Sequence, residues 1–308
     1  MNKKRWLLAG VLTVVIVLLT GAVVYLRPLY KAYQAVKNPP PAVNEQPNPE
    51  TEKLLQDRYY NFLVYGVDTG EWVNGTYRPG EARADTIVLM QLDLENKTVA
   101  MLSIPRDTLV EIPGYAGTDK INHAHAFGGT KLLVETVEHF TNLSVDYFIQ
   151  INYPLFRDVV EAIGGVEFEV DRAIKARGLQ LEPGLQVLNG DQAFALVSFR
   201  YEAMGDIARV QRQQRFLLAL ARQVKTLSTG ELLPAFYAAW QQIKTNLSSQ
   251  EAAELVMLLN GLQVNTVTTE IVPGWFYNRS GVSYWRPNEE ETKALITNIF
   301  RHTDKTKS

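Results

Sequence analysis

Three short, almost unbroken apolar runs, Phe62 to Asp68, Asp85 to Leu92 and Ala100 to Asp107, constrain the fold more than any other feature. Runs this continuous suit strands buried on both faces, so the sheet they form needs a covering layer above and below. Pro105 has no N–H to donate and ends the third ladder, leaving Arg106 and Asp107 at a sheet rim. Asp93-Leu94-Glu95-Asn96-Lys97 reads as a hairpin loop between the second and third runs. Antiparallel pairing about a centre between Glu95 and Asn96 sets Asp85 opposite Arg106. If the first run lies antiparallel to the second, Asp68 falls at the same end, and the loop between them delivers Arg83 beside Asp85.

The rest of the chain supplies the covering layers. Thr130 to Phe140 is predicted as a helix, reached through a loop from Gly114 to Asn122 and the segment Asn122 to Gly129. Strand Val145 to Ile151, helix Pro154 to Ile163, strand Val166 to Val170 and a helix from Asn189-Gly190-Asp191 to Phe199 follow. A long helix from Asp206 to Leu227 has a predicted core stripe of Ile207, Val210, Leu217, Ala221 and Val224, with Arg215 and Arg222 solvated. Arg209 and Gln213 border that stripe, four apart, and can address one target together. Helices near Glu231 to Ile243 and Ser249 to Leu262, strand Thr266 to Val272, aromatic-rich loops around Trp275 and Trp285, and a helix from Asn288 to Phe300 complete the reading. The alternation predicts an α/β fold, a three-layer α/β/α sandwich with a central mixed sheet.

Trp6 to Leu26 is a run of 21 apolar or small residues behind Lys3, Lys4 and Arg5. At a helical rise of about 1.5 Å per residue it spans about 31 Å, enough to cross a bilayer as an uncleaved signal anchor. The charge bias puts residues 1–5 in the cytoplasm and the rest outside the membrane. Residues 27–57, rich in proline, are a spacer; 58–303 form the extracytoplasmic domain, and 304–308 a tail. A net charge of −2 makes no case for nucleic acid, and with no cysteine there is neither a disulfide nor a thiolate metal site. His123 and His125 are a close pair without a visible third ligand, so zinc is not expected.

Arg83, Arg106, Arg200 and Arg209 with Asp68 and Asp85 make a distinctive set for such a domain. Guanidinium forks match phosphate oxygens and keep their charge, while hard carboxylates suit Mg²⁺. Together they fit phosphoryl transfer, in which catalysis is mostly positioning and charge neutralisation. The chain has neither a nucleotide-binding glycine loop nor a Gly-x-Ser-x-Gly elbow.

Several blocks resemble the LytR-CpsA-Psr family of cell-envelope proteins: Leu63 to Asp68, Arg83 to Thr86, Ser103 to Thr108, Lys120 to Ala124, Gly164 to Val166, Leu188 to Ala193, and Gly205 through Gln214. The likeness spans residues 58 to 228 and is less distinctive from 229 to 303. It implies a membrane-anchored transferase that moves a glycan-phosphate from a polyprenyl-pyrophosphate carrier onto peptidoglycan or another envelope acceptor. The lipid tail would occupy an apolar pocket. Carried onto this chain, Asp68 and Asp85 are metal positions for Mg²⁺. Arg83, Arg106, Arg200 and Arg209 bind the pyrophosphate and Gln213 supports it. Arg106, Asp85, Arg83 and Arg209 are then the catalytic set. Either Asp85 or Asp107 is open as general base, though a carboxylate committed to a metal is a poor proton acceptor. The alternative reading is a non-catalytic scaffold that binds polyprenyl phosphates. A transcriptional role is disfavoured, because the anchor leaves only Met1 to Arg5 in the cytoplasm. Two departures stand out: Ser198 in Ser198-Phe199-Arg200 replaces the first arginine of a common Arg-x-Arg pair, and Ala84 replaces a serine.

Overall fold

A computed structural model describes residues 59–73, 76–199, 205–226, 243–248, 251 and 266–301. The apolar runs pair as strands. β1 (Tyr59–Val73) and β2 (Thr76–Asp93) are antiparallel, and β3 (Thr98–Ser103) returns along β2. The β2/β3 register, from Asp93↔Thr98 to Val88↔Ser103, is that of a hairpin centred between Glu95 and Asn96, as expected. Asp93 Oδ1 accepts from the Asn96 N–H at 2.8 Å and closes the turn.

A ribbon of β4 (Leu109–Glu111) and β5 (Thr118–Lys120) then leads into α1 (Ile121–Thr141). Next come β6 (Tyr147–Ile151), α2 (Tyr153–Ala162), β7 (Val166–Val170), β8 (Ile174–Ala176), β9 (Leu179–Leu181), β10 (Gly184–Leu188) and α3 (Gly190–Ser198). The described chain ends with α4 (Gly205–Thr226), β11 (Lys244–Thr245), β12 (Thr266–Ile271), the hairpin β13 (Gly274–Arg279) and β14 (Val282–Pro287), and α5 (Glu289–Ile299).

The central sheet has the order β11-β6-β1-β2-β3-β12, with β1/β6 and β3/β12 parallel and the other neighbours antiparallel. This is the mixed sheet the sequence predicted. Successive side chains alternate between its faces. Leu63, Tyr65, Ile87 and Leu102 pack with Leu133 and Val137 of α1 and Ile296 of α5. Phe62, Val88, Met90 and Met101 face the other way, against Leu217 and Leu218 of α4. A further core of Leu155, Val160, Phe168, Leu196, Phe216 and Leu220 ties α2, α3 and α4 to β7.

Four expectations need correction. The segment between Asp68 and Arg83 is not a loop: the β1/β2 ladder continues to Val73↔Thr76. Asn74-Gly75 between aromatic and β-branched residues is a strong hairpin signal that explains it. The segment from Asn122 to Gly129 is helical rather than a lead-in: α1 begins at Ile121, kinks at the non-helical Gly128 and Gly129 (φ 64°), and resumes at Thr130 as expected. The Trp275 and Trp285 segments are strands of a hairpin whose Ser280-Gly281 turn has positive φ at both residues. On α4 Val210 is buried as expected, Ile207 and Leu217 are only half-buried, and the expected Ala221 and Val224 lie outside the described side chains; among those described, Phe216, Ala219 and Leu220 are the other buried apolar residues. That helix is covered from two sides, so its apolar stripe turns toward α2 and α3. Arg215 and Arg222 are exposed, as expected.

The expected anchor at 6–26, spacer at 27–57 and tail at 304–308 lie outside the described residues, as do most of the two helices expected between Glu231 and Leu262. Ser248 and Glu251 exchange backbone-to-side-chain bonds of 2.8 and 3.1 Å, a capping box at the start of the second of those helices. Among the described residues no helix is long and apolar enough to cross a membrane.

Gln91 closes the sheet against the end of the domain. Its amide donates to Asn61 Oδ1 at 2.9 Å and to the Arg301 carbonyl at 3.0 Å, and accepts from the Arg301 N–H at 2.7 Å. Gln91→Leu keeps the volume but strands those buried partners, at about 1–3 kcal/mol each in the fully unsatisfied case. Calorimetry should therefore show a Tm lower by roughly 5 to 10 °C in a domain this size; an unchanged Tm contradicts the assignment.

Candidate active site

The site begins with a break in the β1/β2 register. Gly66 pairs with Thr86 but Val67 pairs with Ala84, so Asp85 is the extra residue of a β-bulge. Its effect is visible in burial. Ala84 and Ile87 share one core although three apart, whereas Asp85, Thr86 and Val88 all line a cavity on the opposite face. Uninterrupted alternation from Ile87 would point Asp85 into the α1 layer; the bulge turns its carboxylate to the cavity instead.

Across the β2/β3 end, Arg106 meets that carboxylate with Nη1 2.6 Å from Asp85 Oδ1, the encounter expected from the hairpin centre. A tight turn holds Arg106 there. The Ile104 N–H bonds the Ile87 carbonyl at 2.9 Å, and Thr108 bonds the Pro105 carbonyl through its N–H at 2.9 Å and its hydroxyl at 2.5 Å. Asp107 faces Lys120 Nζ at 2.8 Å and Arg106 Nε at 3.8 Å, and so gives Arg106 a second carboxylate neighbour.

α4 brings Arg209 and Gln213 to the same place. Arg209 is 2% exposed, and its Nη2 donates to the Asp85 carbonyl at 3.1 Å. Gln213 donates to the Val197 carbonyl at 3.1 Å, and Arg212 Nε to the Leu196 carbonyl at 2.7 Å. These bonds satisfy carbonyls left open at the end of α3 and lock α3 to α4. Burial is the main reason the Arg212 guanidinium is held below its ordinary pKa.

The cavity these residues share has a volume of about 580 Å³. Its floor is the sheet, at Val64, Val88 and Ile151; its walls are Tyr153 and Phe156 of α2, Phe194 and Val197 of α3, and Phe216 and Leu217 of α4. The aromatic wall is continuous: ring centroids are 4.5 Å apart for Tyr153 and Phe194, 5.8 Å for Phe156 and Phe194, and 5.5 Å for Phe156 and Phe216. Tyr153 donates a short hydrogen bond to Asp191. Burial first, and then the Asp191 carboxylate, push its phenol up to about 12, so it stays a neutral donor near neutral pH. Asp85, Arg209 and Gln213 thus stand in the wall of a largely apolar groove.

Of the seven residues expected at the site, Asp85, Arg209 and Gln213 line the cavity and Arg106 joins it through Asp85. Arg83, two residues before Asp85, is exposed and in register with Asp68. Nothing is described of Asp68 beyond its backbone, and Arg200 lies outside the described residues. His123 bonds Asp119 at 2.8 Å, and among the described residues no group of three or more His, Asp or Glu side chains gathers as a metal cluster. Sequence reasoning missed the aromatic wall and Arg177, which also lines the cavity.

A family model described as the LytR_cpsA_psr family matches residues 29–301. The polyisoprenyl-teichoic acid–peptidoglycan teichoic acid transferase TagU of Bacillus subtilis is 30% identical over 311 residues, covering 99% of this chain and 98% of TagU. TagT of the same organism, which carries the same transferase description, is 36% identical over 248 residues, covering 77% of this chain and 74% of TagT. A solved structure described as the LytR-CPS2A-psr family protein YwtF (TagT) with bound octaprenyl pyrophosphate lipid superposes with a TM-score of 0.60 at 30% identity. That match covers 83% of this chain and 93% of that one.

The cavity should accept an apolar body carrying an anionic head. The full chain in detergent is expected to bind 1-anilinonaphthalene-8-sulfonate with enhanced fluorescence, and Val64→Trp, which fills the floor from a β-favouring position, should weaken it by roughly tenfold. Equal binding by the variant would place the dye elsewhere.

Proposed function

Since the chain belongs to the LytR_cpsA_psr family, we propose that it transfers a teichoic-acid-type glycopolymer, as its phosphate, from a polyprenyl-pyrophosphate carrier onto peptidoglycan, releasing polyprenyl phosphate. One observation carries this reading: Arg209, Gln213 and the Asp85–Arg106 pair stand in or beside the wall of a cavity of about 580 Å³ lined mainly by apolar and aromatic side chains. A scaffold would need only the cavity. The bulge that aims Asp85 inward and the buried Arg209 favour an enzyme.

The tail lies along Val64, Phe156, Phe194, Phe216 and Leu217, which brings the diphosphate to Asp85 and Arg209. There the buried guanidinium of Arg209 faces the phosphate oxygens, and fixed positive charge in a water-poor site favours the spread of charge in the transition state. Arg106 keeps the Asp85 carboxylate oriented and adds a second positive charge. Gln213, bound to the Val197 carbonyl, holds the groove wall beside the head group. Arg83, and Arg200 after it in the chain, complete the pyrophosphate contacts. Asp107 is held by Lys120 and Asp85 by Arg106, so with Asp85 also offered to the metal the proton of the acceptor hydroxyl passes to water.

Asp85 turned to the cavity, with Asp68 two register positions away on β1, offers the hard oxygen donors that suit Mg²⁺. Bound there, the ion would neutralise diphosphate charge. Outside the membrane, the domain would be tethered by residues 6–26, with residues 27–57 as a spacer and only residues 1–5 in the cytoplasm.

Full-length protein given Mg²⁺ and a polyprenyl-pyrophosphate-linked teichoic acid precursor should release polyprenyl phosphate and label peptidoglycan. Arg106→Ala and Arg209→Ala should each lower turnover by about 100-fold or more, as for loss of one preorganised electrostatic group. Turnover equal to wild type in both would refute the site. Chelation should stop transfer yet leave lipid bound; transfer at full rate in chelator would remove the metal from the reading.

A further inference from the structure

Arg177 reaches the cavity from a direction the site described above does not use. β8 and β9 pair Ala176 with Leu179, leaving Arg177-Gly178 as a two-residue turn with φ of 55° at Arg177 and 78° at Gly178. Turns of this kind favour Asn, Asp or Gly at the first position, because a longer side chain crowds the backbone at positive φ. An arginine held there against its preference points to a task for its side chain.

The side chain is built into the wall. Its guanidinium carbon sits 4.4 Å from the centroid of the Phe194 ring, and Nε donates to Ser198 Oγ at 3.1 Å. Ser198 in turn donates to the Phe194 carbonyl at 2.6 Å, so its oxygen lone pairs face Arg177. Ring and hydroxyl together fix the plane of the guanidinium fork. Arg177, Ser198, Asp85, Arg209 and Gln213 all line the one cavity. A planar guanidinium fixed in this way matches two oxygens of a phosphate group.

We infer that Arg177 is a substrate-binding residue, a guanidinium supplied from the β8/β9 turn to the diphosphate end of the prenyl-lined groove and oriented there by Ser198 and Phe194. The inference rests on the function proposed above and adds to it the head-group contact made on the α3 side of the groove. Ser198 serves as a small acceptor that makes room for Arg177 and fixes its plane.

The test separates this role from a structural one. Arg177→Asn suits the turn and removes the guanidinium, so the melting temperature of the full chain should hold or rise while its affinity for octaprenyl pyrophosphate falls roughly tenfold or more, the worth of a charge-assisted contact. Arg177→Lys, with the charge but not the fork, should fall between. In the double variant Arg177→Asn with Ser198→Arg, the new guanidinium starts from the residue that now holds Arg177, and affinity should recover. Octaprenyl monophosphate, with fewer oxygens to grip, should distinguish the variants less. If Arg177→Asn binds the pyrophosphate like wild type while Arg209→Ala does not, the inference is overturned and the proposed function stands. If the unmodified chain fails to bind octaprenyl pyrophosphate at all, both are overturned.

Discussion

The bulge at Asp85 is the constraint on which the site depends. A sheet covered on both faces leaves no place for a carboxylate in its interior rows, where burying an unpaired charge costs several kcal/mol or shifts its pKa. One extra residue in β2 resolves the conflict: Ala84 and Ile87 keep the α1 side apolar, and Asp85 turns to the groove and to Arg106. The same displacement leaves the Asp85 carbonyl to Arg209 Nη2, so one irregularity fixes both guanidinium groups. The groove itself lies over the sheet where the parallel pairing of β1 with β6 ends, at Gly66, Val67, Ile151 and Asn152. β6 leaves the sheet there at Ile151, which releases the side chains that follow it from sheet packing.

How much of this was legible in the sequence divides along the range of the contacts. Asp85 and Arg106 were found because a short hairpin loop fixes register, and register alone carries an acid and a base to one end of a strand pair. The Asn189 and Asn288 starts of α3 and α5 were legible too, since both side chains accept from the backbone three residues on. Beyond the resemblance, nothing in the chain announced the groove walls, because Tyr153, Phe194 and Phe216 are dozens of residues apart and each looks like ordinary core. The bulge was illegible for a different reason. No residue type marks it, and it shows only when the phase of Ala84 is compared with that of Ile87. Arg177 was hidden by length, since β8 and β9 have three residues each and give no readable alternation.

The groove and the arginines do different work, and the reference state decides which. Burying a methylene of a prenyl chain is worth about 0.8 kcal/mol against water. A prenyl carrier, however, starts in a bilayer whose interior is as apolar as Val64, Phe156 and Leu217, so moving the tail into the groove gains little net free energy. What the apolar wall achieves is to let the tail leave the membrane without penalty. On the function proposed, affinity and choice of carrier then fall to the head group, at Arg209 and its neighbours. Tail binding is the same in ground and transition states and cannot by itself raise the rate. On the function proposed, charge that develops as the bridging phosphate oxygen leaves would be met by the guanidinium groups and any bound metal, so acceleration would reside in the few groups around Asp85. The bulge and the α3/α4 lock hold those groups in place before substrate arrives, as electrostatic catalysis without reorganisation requires.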